Sequence, residues 1–204
     1  MAQRITRLAI LAGGVLFPTP TEAVATCLAA GGKLTLAQRG GLQQAGRSLA
    51  DGRTAPAQFC AEVTELCGVR GEPAAARLYE QLANELAAQP GLPSLIVDLA
   101  LTHEVRLVSD YPAAWVLPAL RRSGLEGCFP ETEIAYVADL GGLAGMFDAL
   151  VAGGLIVPGH TLWVDSHSRR TSEALRRGID ATIFVDARRF RRDLGLWRLM
   201  PLPA

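Results

Sequence analysis

The chain has 204 residues, enough for one core domain with a small insertion and too few for two large domains. Half the residues are hydrophobic and 20% are charged, which excludes a disordered chain. The 20 basic residues balance 20 acidic ones and only 6% are aromatic, which argues against nucleic acid, an anionic membrane or a base-stacking platform as the partner of the whole chain. Four cysteines without a short paired spacing make neither a zinc site nor a disulfide framework, as expected of a cytoplasmic protein with reduced thiols. Two absences matter later: Lys33 is the only lysine, and no Asp or Glu precedes Glu22.

The segment MAQRITRLAILAGGVLFPTPTEAVA can be read in two ways. Arg4, Arg7, the apolar run from Leu8 to Phe17 and Ala23-Val24-Ala25 imitate a secretory signal. Gly13-Gly14 weakens a helical apolar region, and the same residues suit a buried first strand leaving through a tight turn. No uncharged apolar stretch is long enough to span a membrane, because Gly153, Gly154, Pro158 and His160 interrupt the best candidate over 149–164.

Residues 19–90 carry helix signals one after another. Thr21 is placed to cap a helix over 22–30, Thr35 caps one running towards Leu49, and Thr54-Ala55-Pro56 opens one carrying Phe59, Val63 and Leu66. A fourth helix is expected over 72–88, and Pro90 and Pro93 end the block. Cys60 and Cys67, seven residues apart on one helix, suit small core positions better than a redox or metal pair.

The rhythm then changes to helix and strand in alternation. Helices are expected over 92–102, 112–123, 143–152, 168–177 and 187–194, and strands over 105–109, 134–138, 161–164 and 181–185. This alternation predicts an α/β fold, a doubly wound parallel (Rossmann-like) sheet built from 1–18 and 91–204, with 19–90 as an inserted all-helical cap. Ligands of such sheets sit beyond the carboxyl ends of the strands, so Leu11 to Gly14, Ser109-Asp110 and Asp165-Ser166 should line one crevice.

A first strand, a helical insert, LVSDYPAAWVLPALRRSGLEGCF and then LWVDSHSRRTSEALRRGIDATIFVDARRFRRDLG resemble the haloacid dehalogenase (HAD) superfamily, most of all its phosphatase-like members with a helical cap. The resemblance implies a serine motif at Ser109 and an acidic motif at Asp165. In that family the first strand ends in Asp-x-Asp-Gly-x-Leu, whose first Asp attacks phosphorus and whose second protonates the leaving group. The matching residues here are Leu11-Ala12-Gly13-Gly14-Val15-Leu16, so Leu11 stands at the nucleophile position and Gly13 at the acid/base position. Leucine has no lone pair to attack with, and glycine has no side chain to carry a proton. The family's Lys or Arg falls near Gly141, again without a charge, and Ser166 stands at the second acidic position beside Asp165.

On this resemblance Ser109 and Asp110 remain as a residual phosphate or ligand site, and Asp165 as a vestigial metal carboxylate. One carboxylate makes a poor Mg²⁺ site, so no cofactor is expected. The expected function is a pseudoenzyme that acts as a binding, regulatory or assembly partner, through another protein or through self-association. Two alternatives are a HAD-family phosphomonoesterase using rearranged groups, and a phosphate sensor. A Ser109, His167, Asp165 triad is conceivable, though no nucleophile-elbow motif surrounds Ser109. Nine arginines from Arg169 to Arg198 suit either an anionic partner or a solvated helix face interleaved with Glu173, Asp186 and Asp193.

Overall fold

A computed structural model describes residues 5–28, 34–69 and 72–200. Lys33 and Arg4 lie outside them. Five parallel strands form one sheet in the order β3-β2-β1-β4-β5: β1 (Arg7–Leu11), β2 (Glu104–Ser109), β3 (Ala135–Tyr136), β4 (Thr161–Asp165) and β5 (Asp180–Ile183). The apolar run Leu8 to Leu11 takes the central place because it is buried on both faces. Strand alternation divides it: Leu8 and Ile10 join the larger core, Ala9 and Leu11 the smaller one.

Four helices follow β1: α1 (Pro20–Leu28), α2 (Leu36–Ala50), α3 (Pro56–Leu66) and α4 (Glu72–Glu85). The cap of α1 is Thr19 rather than Thr21. Its backbone N–H donates to Glu22 Oε2 at 2.8 Å and its hydroxyl accepts the Glu22 N–H at 3.3 Å, a capping box that leaves Pro20 at the first helical position. Thr35 and Gln38 form the same box on α2, as expected. The next helix, α5 (Leu92–Ala100), packs on β2; α6 (Ala113–Arg122), α7 (Gly142–Ala152) and α8 (Ser168–Arg176) separate the remaining strands, and α9 (Ala187–Leu196) follows β5.

The helices between β1 and β2 have no core of their own. Leu42, Leu49, Phe59, Val63, Leu78 and Leu82 belong to the same buried cluster as Leu8, Ile10 and Trp115. Trp115 on α6 is the junction, with its ring centroid 6.1 Å from Phe59, 5.5 Å from Tyr79 and 6.4 Å from Tyr111. Arg122 fastens the same layers by donating to the Ala83 and Leu86 carbonyls at the end of α4. The smaller core, with Leu11, Val108, Met146, Phe147 and Trp163, fills the opposite face beneath α7 and α8.

One predicted strand shrinks. Of 134–138 only Ala135–Tyr136 pairs, and Val137–Leu140 tightens into a 3₁₀ turn that ends at Gly141 with φ 78°. Val137 is buried in the smaller core.

Candidate functional site

The carboxyl ends of β1, β2 and β4 bring the expected crevice residues together, and the turn after β1 sets their spacing. Phe17 N–H donates to the Ala12 carbonyl at 2.8 Å and Gly14 N–H to the Phe17 carbonyl at 2.7 Å, with Gly14 at φ 84°. Glycine is required there twice over, by the left-handed backbone and by Ser166, whose Oγ lies 2.1 Å from where a Cβ would stand.

Leu11 is fully buried in the smaller core and aligned with Val108 on β2. Gly13 donates its N–H to Asp110 Oδ1 at 2.8 Å. A Cβ on Gly13 would lie 2.5 Å from Asp110 Oδ2, so the Asp110 carboxylate occupies the space that a side chain at position 13 would need. Burial pushes the Asp110 carboxyl up, more than the nearby Arg170 charge and the Gly13 N–H bring it down, and the charge of Asp165 adds to the rise.

Asp165, at the end of β4, is fully buried and saturated with donors. Arg170, on the first turns of α8, grips it with both arms of its guanidinium, Nε to Oδ2 at 2.6 Å and Nη2 to Oδ1 at 2.8 Å. Trp163 Nε1 donates to Oδ2 at 3.2 Å and the His167 backbone N–H to Oδ1 at 2.8 Å. These four donors match the roughly four lone-pair sites of a carboxylate. Burial disfavours the Arg170 charge, but the bonds and charge of Asp165, with the charge of Asp110, outweigh it and hold the guanidinium above its ordinary value.

Ser109 closes on its own backbone. Its hydroxyl donates to the Tyr111 carbonyl at 2.8 Å and accepts the Tyr111 N–H at 3.1 Å. Among the described residues no hydrogen bond joins the His167 ring to Ser109 or Asp165; Asp165 takes the His167 main chain instead. Gly141 opens α7, and a Cβ there would meet nothing within 4 Å, although its φ of 78° disfavours any side chain. The first turn of α7 is capped from the end of α2, by Asp51 Oδ1 accepting the Leu143 N–H at 2.9 Å.

These residues do not suit the Mg²⁺ that the resemblance implies. Asp165 has no free oxygen sites, Leu11 supplies no side-chain oxygen, and no cluster of three metal-ligating side chains occurs among the described residues. In the sequence Arg170 is one of nine late arginines that suit either an anionic partner or a solvated helix face. Its signal was an arginine five residues after a strand-end aspartate, where the first turns of the helix carry it back over the strand. Asp51 had no local signal, because its partner lies 92 residues away.

Other chemistry-bearing groups stay structural. Burial, with the neighbouring Cys27, pushes the Cys60 thiol up to about 12, and all four cysteines are free. A cavity of about 310 Å³ lies at the opposite ends of the strands, lined by Arg7, Glu104, Arg106 and Glu133 among others. Its charges are mutually paired, with Arg7 and Arg106 both on Glu104 and Arg106 also on Glu133. Although burial works against the Glu104 charge, these two arginines hold its carboxyl below the usual range. No described helix is long and apolar enough to cross a membrane.

No family model matches the chain, and no curated protein does. Solved structures do. A HAD-family enzyme of Bacteroides thetaiotaomicron is similar over 88% of this chain and 93% of its own, with TM-score 0.65 and 16% identity. The L-2-haloacid dehalogenase of Xanthobacter autotrophicus covers 97% of this chain and 85% of its own, with TM-score 0.68 and 17% identity. A predicted HAD-like family hydrolase of Porphyromonas gingivalis covers 88% and 90%, with TM-score 0.62 and 16% identity. Together with the all-parallel sheet, these likenesses show that the chain has the haloacid dehalogenase fold.

Proposed function

We propose that this protein is a HAD-superfamily pseudoenzyme, a cytoplasmic binding or assembly partner that has given up the hydrolase chemistry of its fold. The observation that carries this reading is the closure of Asp165 by Arg170, 2.6 and 2.8 Å away. A tethered guanidinium stands against the carboxylate with which the family holds its metal, so the crevice is neutralised from within. Loss of the first-strand carboxylates points the same way. Leu11 is packed into the core, and the space at Gly13 is filled by Asp110. The Bacteroides enzyme has been solved with magnesium and inorganic phosphate; this crevice offers that pair no comparable set of oxygens.

A second reading, a hydrolase with rearranged groups, has Asp110 to stand on, because it is the crevice carboxylate that Arg170 does not grip directly. The two readings separate in one assay. Purified protein with Mg²⁺ and a panel of phosphomonoesters is expected to show no turnover above a buffer blank. Leu11→Asp with Gly13→Asp is expected to restore none, since the new carboxylate at position 13 would collide with Asp110. The Leu11→Asp change alone is expected to lower stability by about 3 kcal/mol or more, because it buries an unpaired carboxylate. Turnover that disappears in Asp110→Asn would establish the rearranged hydrolase instead.

A further inference from the structure

The end strand β5 pairs with β4 on one side and with no strand on the other among the described residues. Phe184 N–H donates to the Asp165 carbonyl at 2.9 Å. Strand alternation therefore turns the N–H and C=O groups of Thr182 towards β4 and those of Ala181 and Ile183 outwards. Open edges are usually blunted by lysines, prolines or bulges. This one carries Ile183 and then Val185, which are 41% and 53% exposed.

The flanks of the edge differ in character. Ala181 packs in the smaller core beneath α8, so alternation places Ile183 on the α8 face. Arg177, at the C-cap of α8, reaches Asp148 of α7 at 3.0 Å, which marks the flank nearer the sheet centre. Leu175 lies about 200° round the helix from Arg177, hence on the flank nearer the open edge, and is 54% exposed. It extends the apolar row of Ile183.

On the other face, Arg191 of α9 approaches Asp98 of α5 at 3.8 Å, and α5 packs on β2 towards the centre of the sheet. Arg189, about 200° away from Arg191, is therefore on the open-edge flank, with Arg188 and Arg192 beside it on the solvent side. Asp186 meets this flank as the helix cap, its Oδ1 accepting the Arg189 N–H at 2.7 Å, and Asp180 opens β5 itself. Arg189 and Arg192 share Asp193, each at 3.8 Å, and Arg188 has no ion pair among the described residues.

We propose that the open edge of β5 binds an extended segment of a partner protein in which acidic and apolar residues alternate. The segment would add as a sixth strand. Its main chain would bond the outward groups of Ala181 and Ile183, its apolar side chains would lie on Leu175 and Ile183, and its acidic ones would face Arg189 and its neighbours. A second copy of this chain fits less well, because edge-to-edge pairing would set the arginine-rich α9 helices of the two copies together. Nucleic acid would leave the apolar row uncovered. The proposal is independent of whether the crevice has chemistry.

The test is an amide NMR titration with an end-blocked peptide of alternating Glu and Val, about eight residues long, compared with its Lys–Val counterpart and a single-stranded oligonucleotide. Glu–Val peptide is expected to saturate below millimolar concentration with shifts centred on Ala181 to Val185, and the Lys–Val peptide to bind at least about tenfold more weakly. Ile183→Pro removes the outward N–H and spares the ladder to β4, so it should abolish binding. Arg189→Glu, on the exposed face of α9, should weaken binding severalfold without moving the melting temperature, and keeps the test decisive if the proline variant does not fold. The proposal is overturned by no binding of the Glu–Val peptide, equal binding of the Lys–Val peptide, binding indifferent to Arg189→Glu, preference for the oligonucleotide, or dimerisation through this edge.

Discussion

Asp110 shows how one residue can take over the space of another. Its carboxylate stands over Gly13, accepts that residue's N–H, and is pushed by burial towards its protonated form. An unfolded aspartate ionises near about 3.9, whereas the folded one keeps its proton to higher pH. Between those values the folded state binds more protons, so the stability that Asp110 contributes below the ordinary value is lost as pH rises through the folded one. Asparagine keeps an acceptor for Gly13 and has no such dependence. The gain in unfolding midpoint of Asp110→Asn over the parent is therefore expected to grow as pH is raised from about 4 to about 8. A gain that stays constant across the range would mean that residue 110 titrates as if it faced water. Asp110 was legible as a crevice residue from its place after Ser109; its closeness to Gly13 was not, because 97 residues separate them.

At the scale of elements, α8 matters most to the crevice. Thr171 and Ala174 bury one face of it against the sheet, and its first turns lay Arg170 across the end of β4. Removing one partner of a buried ion pair typically costs about 3–5 kcal/mol, and Arg170 retains some exposure, so Arg170→Ala should fall at the lower end. The same substitution uncovers the Asp165 oxygens. Millimolar Mg²⁺ is expected to leave the melting temperature of the parent unmoved, because one carboxylate without further oxygen ligands does not hold the ion. Stabilisation of the parent by Mg²⁺, lost in Asp165→Asn, would show that Arg170 yields to a metal. The sequence placed α8 to within a residue, since Asp165, the serines after it and Gly178 punctuate it clearly. The role of Arg170 was hidden by the eight other arginines of the same region, which look alike until the sheet separates inward from outward.

For the whole molecule, the decisive feature is that the larger core runs without a break from the sheet into the helices after β1. The helices after β1 and the sheet are then expected to unfold together. Trp115→Ala, which empties the aromatic junction with Phe59, Tyr79 and Tyr111, should cost about 3–5 kcal/mol and leave a single transition. Separate transitions by circular dichroism and by hydrogen exchange in α2 to α4 would show two independent units instead. The balance of 20 basic and 20 acidic residues says nothing of this, and it also masks the arginines gathered beside the β5 edge.

By itself the sequence determined the alternation of helix and strand, the order of the crevice segments and the absence of first-strand carboxylates, because these follow from local periodicity and residue type. The tertiary structure alone decided that Asp110 fills the space at Gly13, that Arg170 neutralises Asp165, and that Asp51 caps α7 from the end of α2. Two of these contacts join residues more than 90 positions apart, and the third depends on which way a helix face turns over its strand. Such pairings carry no local signature, because burial and desolvation act on distances in space and not along the chain.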